Sequence, residues 1–242
     1  MKQAVFCVLS LICVSQQLAQ AETFSDDFTS YIAGPSGTSC YQADGSAVGG
    51  WMLVFGGYGQ ACIVKTTPTE AWLNLTPKPA VAANETHATL VSGRTFKQPY
   101  SYSVAVRTAR QLRLNGKPNP WEVGWVIWDY VPIGSSSKFY YFSLKPNGWE
   151  FGQFNTGIQR FLRTGSAPVL SMNQWYTFTV TQTGNDRACR GGALHKLWIT
   201  SGATTYPLTS FCDSKKPITG GKIGFYTEDA SADYTRVMVT TP

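Results

Sequence analysis

The chain has 242 residues, 43% of them apolar and 14% charged, with a formal net charge of +6. That balance excludes a disordered chain, a coiled coil and a collagen-like repeat, and leaves one large all-β domain or two small domains. Aromatic residues match the charged fraction at 14%, which suits strands or sugar-stacking surfaces, and 2 histidines leave little room for a zinc enzyme.

Residues 1–21 read as a secretory signal peptide. Lys2 precedes an apolar stretch over residues 4–14, and Leu18-Ala19-Gln20-Ala21 forms a small-x-small cleavage pattern before Glu22. The apolar run is too short to span a bilayer. Cleavage removes Lys2, Cys7 and Cys13, leaving 19 basic and 14 acidic side chains and a net charge of +5. The exported chain keeps Cys40, Cys62, Cys189 and Cys212, and four cysteines allow three pairings. Proximity favours Cys40 with Cys62 and Cys189 with Cys212, each closing a loop of about two dozen residues. The compartment is then periplasmic or extracellular.

Strands are predicted from end to end. Over residues 100–110, Tyr100, Tyr102, Val104 and Val106 alternate with Ser101, Ser103, Ala105 and Arg107, the period-two mark of a strand with one buried face. Further strands are expected over 121–130, 139–145, 149–154, 175–182, 196–200, 221–227 and 234–240, punctuated by Asn-Gly, Gly-Ser, Thr-Gly and Lys-Pro turns. No sustained 3.6-residue stripe appears. Short strands with a turn about every ten residues predict an antiparallel β-sandwich of jelly-roll form, and no composition break divides residues 22–242 into two domains.

The run ending in Lys145 and the run beginning at Trp149 flank Pro146-Asn147-Gly148. With Asn147 and Gly148 as a two-residue loop, Lys145 lies opposite Glu150, Leu144 opposite Phe151 and Ser143 opposite Gly152. This puts Phe142, Leu144, Trp149 and Phe151 on an apolar face and Tyr141, Ser143, Lys145 and Glu150 on a polar one. Arg107, standing among small neighbours on the earlier strand, is expected beside them in a groove for an anionic ligand.

Residues 119–128, 139–152, 159–166 and 221–230, with the opening Phe24-Ser-Asp-Asp-Phe28, resemble secreted bacterial domains of the concanavalin A-like, laminin-G-like jelly-roll group. That group includes carbohydrate-binding modules, glycoside-hydrolase-like domains and jelly-roll alginate lyases. The resemblance implies the fold and a carbohydrate ligand. It also implies a structural calcium, for which Asp26, Asp27 and Asp233 would supply oxygens. No organic cofactor is implied.

Retaining glycosidases of this fold carry Glu-x-Asp-x-x-Glu on one strand, a spacing absent here; Glu122, Glu150 and Glu228 stand singly on their strands. His87 and His195 sit in contexts that suggest no catalytic triad. β-Elimination across a uronic acid needs a cation to neutralise the carboxylate, a base for the C5 proton and an acid for the leaving oxygen. Arg107 as neutraliser, Lys145 as base and Tyr141 or Tyr140 as acid meet that need, and the lysine role is one the resemblance to alginate lyases implies. Arg110, Lys138, Tyr140 and Glu150 are expected to contact substrate, with Trp125 and Trp128 as stacking platforms. The leading expectation is therefore a secreted lyase of an alginate- or glucuronan-type polymer. A non-catalytic carbohydrate-binding module stands next, then a glycoside hydrolase with acids on separate strands. The expected partner is an anionic polysaccharide, with no nucleic acid and no membrane, and the protein is expected to be a monomer.

Overall fold

Period-two runs of aromatic and β-branched residues become strands because alternate side chains leave opposite faces of the chain and one set can be buried. A computed structural model describes residues 21–34, 36–81 and 85–242; the predicted signal peptide, apart from Ala21, lies outside the described residues. In chain order the strands are β1 (Thr23–Asp26), β2 (Thr38–Tyr41), β3 (Ala47–Val48), β4 (Trp51–Phe55), β5 (Gln60–Thr67), β6 (Glu70–Thr76), β7 (His87–Ser92), β8 (Tyr100–Gln111), β9 (Gly124–Ile133), β10 (Ser136–Lys145), β11 (Gly148–Asn155), β12 (Ile158–Gly165), β13 (Tyr176–Asp186), β14 (Gly192–Ser201), β15 (Thr204–Asp213), β16 (Lys222–Glu228) and β17 (Ala230–Thr240). Among the described residues no helix is long and apolar enough to cross a membrane.

Two antiparallel sheets face each other. The first runs β15-β14-β13-β8-β17-β6-β5-β2, with β1 also paired to β17, and the second runs β12-β11-β10-β9-β16-β7-β4-β3. Between them Phe142 stacks on Phe178 at 4.6 Å and Phe225 on Tyr234 at 4.2 Å, while Trp128 packs against Tyr140, Phe151 and Phe178. Each large aromatic buried here contributes about 1.5–3 kcal/mol of transfer free energy. The edges carry features that discourage further pairing: β12 places Arg160 and Arg163 on an exposed strand, and Pro207 interrupts β15 at a bulge opposite Trp198.

Both expected disulfides form. Cys40 and Cys62 face each other across β2 and β5, and Cys189, in the turn after β13, reaches Cys212 on β15.

The hairpin register differs from the expected one. Pro146 and Asn147 form the loop, Lys145 pairs with Gly148, and Glu150 lies opposite Ser143. As the residue flanking an Asn147-Gly148 loop, Pro146 would have to donate an N–H it lacks, whereas inside the loop its φ near −65° fits the first position of an ordinary turn; Asn147 has no positive φ and Gly148 takes one of 130°. The shift moves each partner by two residues, so the faces stay as assigned, and Lys145 meets Glu150 diagonally at 2.8 Å.

Candidate functional site

On the second sheet the pairing places Glu150, Ser143, Trp125 and Tyr226 in one row across β11, β10, β9 and β16. All four point away from the core, and Glu228 follows two residues beyond Tyr226 on the same face. The turn before β9 brings Trp121 over this surface, where its indole N–H donates to Glu85 at 3.1 Å and its carbonyl accepts from Trp125 Nε1 at 2.9 Å. A cavity of about 480 Å³ results. Trp121, Trp125 and Phe161 form its aromatic side, and Glu85, Glu150, Glu228, Lys145 and Gln159 its polar side.

The carboxylates in this cavity stand in different surroundings. Glu150 is nearly buried; its Oε1 accepts from Tyr141 Oη at 2.7 Å, and its Oε2 from Lys145 Nζ at 2.8 Å. Gln159 in turn donates to Tyr141 Oη at 2.7 Å, which fixes the phenol and through it the carboxylate. Among the described residues Glu228 accepts one hydrogen bond, from Tyr226 Oη at 2.8 Å, and forms no ion pair. Burial, with the charges of Glu85, Asp229 and Glu150 adding to it, pushes its carboxyl up to about 7. Beneath the rim, Arg113 reaches Glu122 at 2.5 Å, Asp229 at 3.3 Å and Glu85 at 3.5 Å, holding the acidic wall in place.

The structure separates the residues predicted to act together. Lys145, Glu150 and Trp125 line the cavity. Tyr141 lies beneath it, fully buried, where burial and Glu150 push its phenol well above the usual range; it positions Glu150. Tyr140 points to the opposite side, into the core, donating to Asp213 at 2.8 Å, and Trp128 is a core residue with no exposed surface. A strand that alternates strictly cannot present both Tyr140 and Tyr141 to one ligand. Lys138 sits seven residues before Lys145 on the same strand, about 23 Å away.

Arg107 and Arg110 lie on β8, in the first sheet, so the expected groove shared with Lys145 does not form. Arg107 faces outward from that sheet, bonded to Asp233 through Nε at 2.8 Å and Nη2 at 2.7 Å. Period-two alternation distinguishes inside from outside, and a sandwich has two outsides. Missed by the sequence reading as members of one site were Glu228, Glu85, Gln159 and Phe161. The signal for Glu228 was an acid alone among aromatic neighbours on a strand.

The expected calcium ligands do not fit a calcium site. Asp26 turns toward the core and accepts from Trp51 Nε1 and Phe28 N, both at 2.9 Å, and from Tyr31 Oη. Asp27 accepts from Thr29, and Asp233 from Arg107 and from Asn74 at 2.7 Å. Their oxygens are taken by separate donors and do not converge; among the described residues no three acidic, histidine or cysteine side chains gather as a metal site would require.

No family model matches this chain, and no curated protein does. Solved structures do. The carbohydrate-binding module CBM66 from Bacillus subtilis superposes with a TM-score of 0.53 at 12% identity, over 78% of this chain and 93% of that one. The chain folds as a jelly-roll sandwich. A Bacillus licheniformis β-glucanase matches at 0.52 and 15% identity, over 91% and 98% of the two chains. The VIP36 exoplasmic/lumenal domain, solved with Ca²⁺ and Man3GlcNAc, matches at 0.51 and 11%, over 86% and 90%. At these identities the likeness concerns the fold.

Proposed function

We propose that residues 22–242 form one exported domain that takes a neutral polysaccharide in the outer cavity of the second sheet and hydrolyses it. The observation carrying this reading is the company Glu228 keeps: a carboxyl raised to about 7 shares an aromatic-walled cavity with Glu150, which is oriented by Lys145 and Tyr141. Indole faces match the C–H face of a pyranose. Glu228 carries a proton near neutral pH and can donate it to a glycosidic oxygen, while Glu150 activates a water. The acids stand on β16 and β11, three strand spacings across the sheet and two residues along it, about 16 Å between backbones. Side chains reaching toward each other over that span leave room for a water between the carboxyls, as in the inverting arrangement, and not for the close retaining one. The structures of a carbohydrate-binding module and a β-glucanase on the same fold support a carbohydrate ligand, and the two disulfides support export.

A uronate lyase fits this cavity less well. Its neutralising cation would be Arg107, which faces the other side of the molecule; its base would be Lys145, which is ion-paired; and the lining acids outnumber its one lysine, which disfavours a polyanion. A binding module is the second reading, favoured by the engagement of both oxygens of Glu150.

The test is a panel of β-glucan, mannan, alginate and polyglucuronate read by reducing ends, by absorbance near ~235 nm and by retention on gels containing each polymer. Reducing ends from a neutral polymer are expected, with retention but no turnover in Glu228→Gln. Absorbance near ~235 nm from alginate would reinstate elimination, and retention without cleavage would leave a binding module.

A further inference from the structure

We infer that the outer face of the first sheet carries a second sugar site, seating one neutral pyranose in the depression over Ala105 flanked by Trp72 and Trp175, on the opposite side of the sandwich from the Glu228 cavity.

The floor comes from register. Thr177, Ala105 and Thr235 lie side by side across β13, β8 and β17, all on the outward row. Three small residues in succession leave a depression, and the residues bounding it are large. Trp72 on β6 stands at one end, and Trp175, just before β13, at the other. The Arg107 guanidinium packs against both rings from one side, and the cavity opens beside it, over Ala105 and the two threonines, with the indoles as flanking walls. Ala105 points outward and yet is only 5% exposed, which shows how far these walls overhang it.

The walls are held. The Arg107 guanidinium lies 4.6 Å from the Trp175 ring and 5.3 Å from the Trp72 ring, and Asp233, itself bonded to Asn74, anchors it. Indoles fixed in this way lose little side-chain freedom when a ligand arrives, which is what a preorganised stacking site needs. The cavity has a volume of about 200 Å³, below the ~300 Å³ of drug-sized pockets and suited to a single ring.

Charge and polarity set the ligand class. Asp27 and Glu70 line the cavity with Arg236, and Thr29, Thr177 and Thr235 supply hydroxyls. Hydrogen bonds from the Thr29 hydroxyl and amide hold the Asp27 carboxyl below its usual range, so it remains an acceptor for sugar hydroxyls. Arg107 is neutralised by Asp233. Two acids against one arginine disfavour an anionic ligand, and acceptors, hydroxyls and indole surface describe a neutral polyol with one apolar face.

The site makes no chemistry available; it would hold a second stretch of polymer and raise retention through avidity. The test is calorimetric titration with neutral hexasaccharides of β-1,4-glucan, β-1,3-glucan and β-1,4-mannan, using wild type, Trp175→Ala, Ala105→Gln and Trp125→Ala. For whichever hexasaccharide binds, two sugars per wild-type chain are expected. Trp175→Ala and Ala105→Gln should each reduce this to one, with polymer retention falling about fivefold or more. Ala105→Gln fills the floor and leaves both walls intact, so a folding defect in the tryptophan variant does not decide the matter. Trp125→Ala should remove the other site and leave this one. A single site in the wild type that Ala105→Gln does not touch, or no binding of any of the three, overturns the inference. Loss only with Trp125→Ala upholds the Glu228 cavity alone.

Discussion

On the second sheet Lys145 meets Glu150 at 2.8 Å beside Trp125; on the first, Arg107 meets Asp233 at 2.7 Å between Trp72 and Trp175. In sequence the two pairs look alike, a cation and an acid among aromatics. Their surroundings differ. On the first face the charges cancel locally: Asp233 is 3% exposed and takes all its cation from Arg107. On the second, Lys145 answers one acid among three, and Glu228 is left to titrate near neutral pH. A buried acid matched to its own cation can help hold a ligand, whereas an acid left without one, its carboxyl raised, can also move a proton.

The largest effect that would break this comparison is on turnover. Glu228→Gln is expected to lower hydrolysis by about 10²–10⁴-fold while retaining polymer on affinity gels. An active Glu228→Gln protein would make the two faces chemically equivalent.

Stability should rank the pairs in the opposite order. Arg107→Ala leaves Asp233 buried with only Asn74 as donor and should cost about 3 kcal/mol in urea unfolding. Lys145→Ala should cost about 1 kcal/mol, because Glu150 keeps Tyr141. Equal losses would remove the distinction.

The acid on the second face should also show in pH. Its folded value of about 7 against 4.5 unfolded means the native state holds an extra proton between those values. This contribution is fully present below about pH 4.5 and is lost as pH rises through about 7. From pH 4 to pH 8, Glu228→Gln should therefore gain about 3 kcal/mol on the wild type. Taking the difference between the two proteins removes the parallel slope of Asp129, raised to about 6 by burial, and the opposite one of His195, lowered to about 3. The smallest effect sharpens the frame: Arg110→Ala, exposed on β8 and outside both cavities, should shift stability by no more than about 0.5 kcal/mol and leave turnover unchanged.

The strands least legible in the sequence are those whose environment hides the alternation. β12 and β15 are edge strands exposed on both faces, and β7 is buried on both, so neither kind shows a period of two. β6, with Ala71, Leu73 and Leu75 turned inward, alternates as plainly as β8 and belonged among the expected strands. The hairpin was misread by one loop residue because Asn-Gly was given more weight than the proline before it.

Local pattern was enough for the all-β class, the two disulfides and the sorting of Lys145 and Glu150 onto one face, since each depends on neighbours in sequence or on a period of two. The order of strands within the sheets lay beyond it. That order is set by pairing between segments more than two hundred residues apart, such as β1 with β17, and by which buried rings fill the space between the sheets. It put Arg107 on the far side of the molecule from Lys145 and brought Glu228 to the same cavity as Glu150.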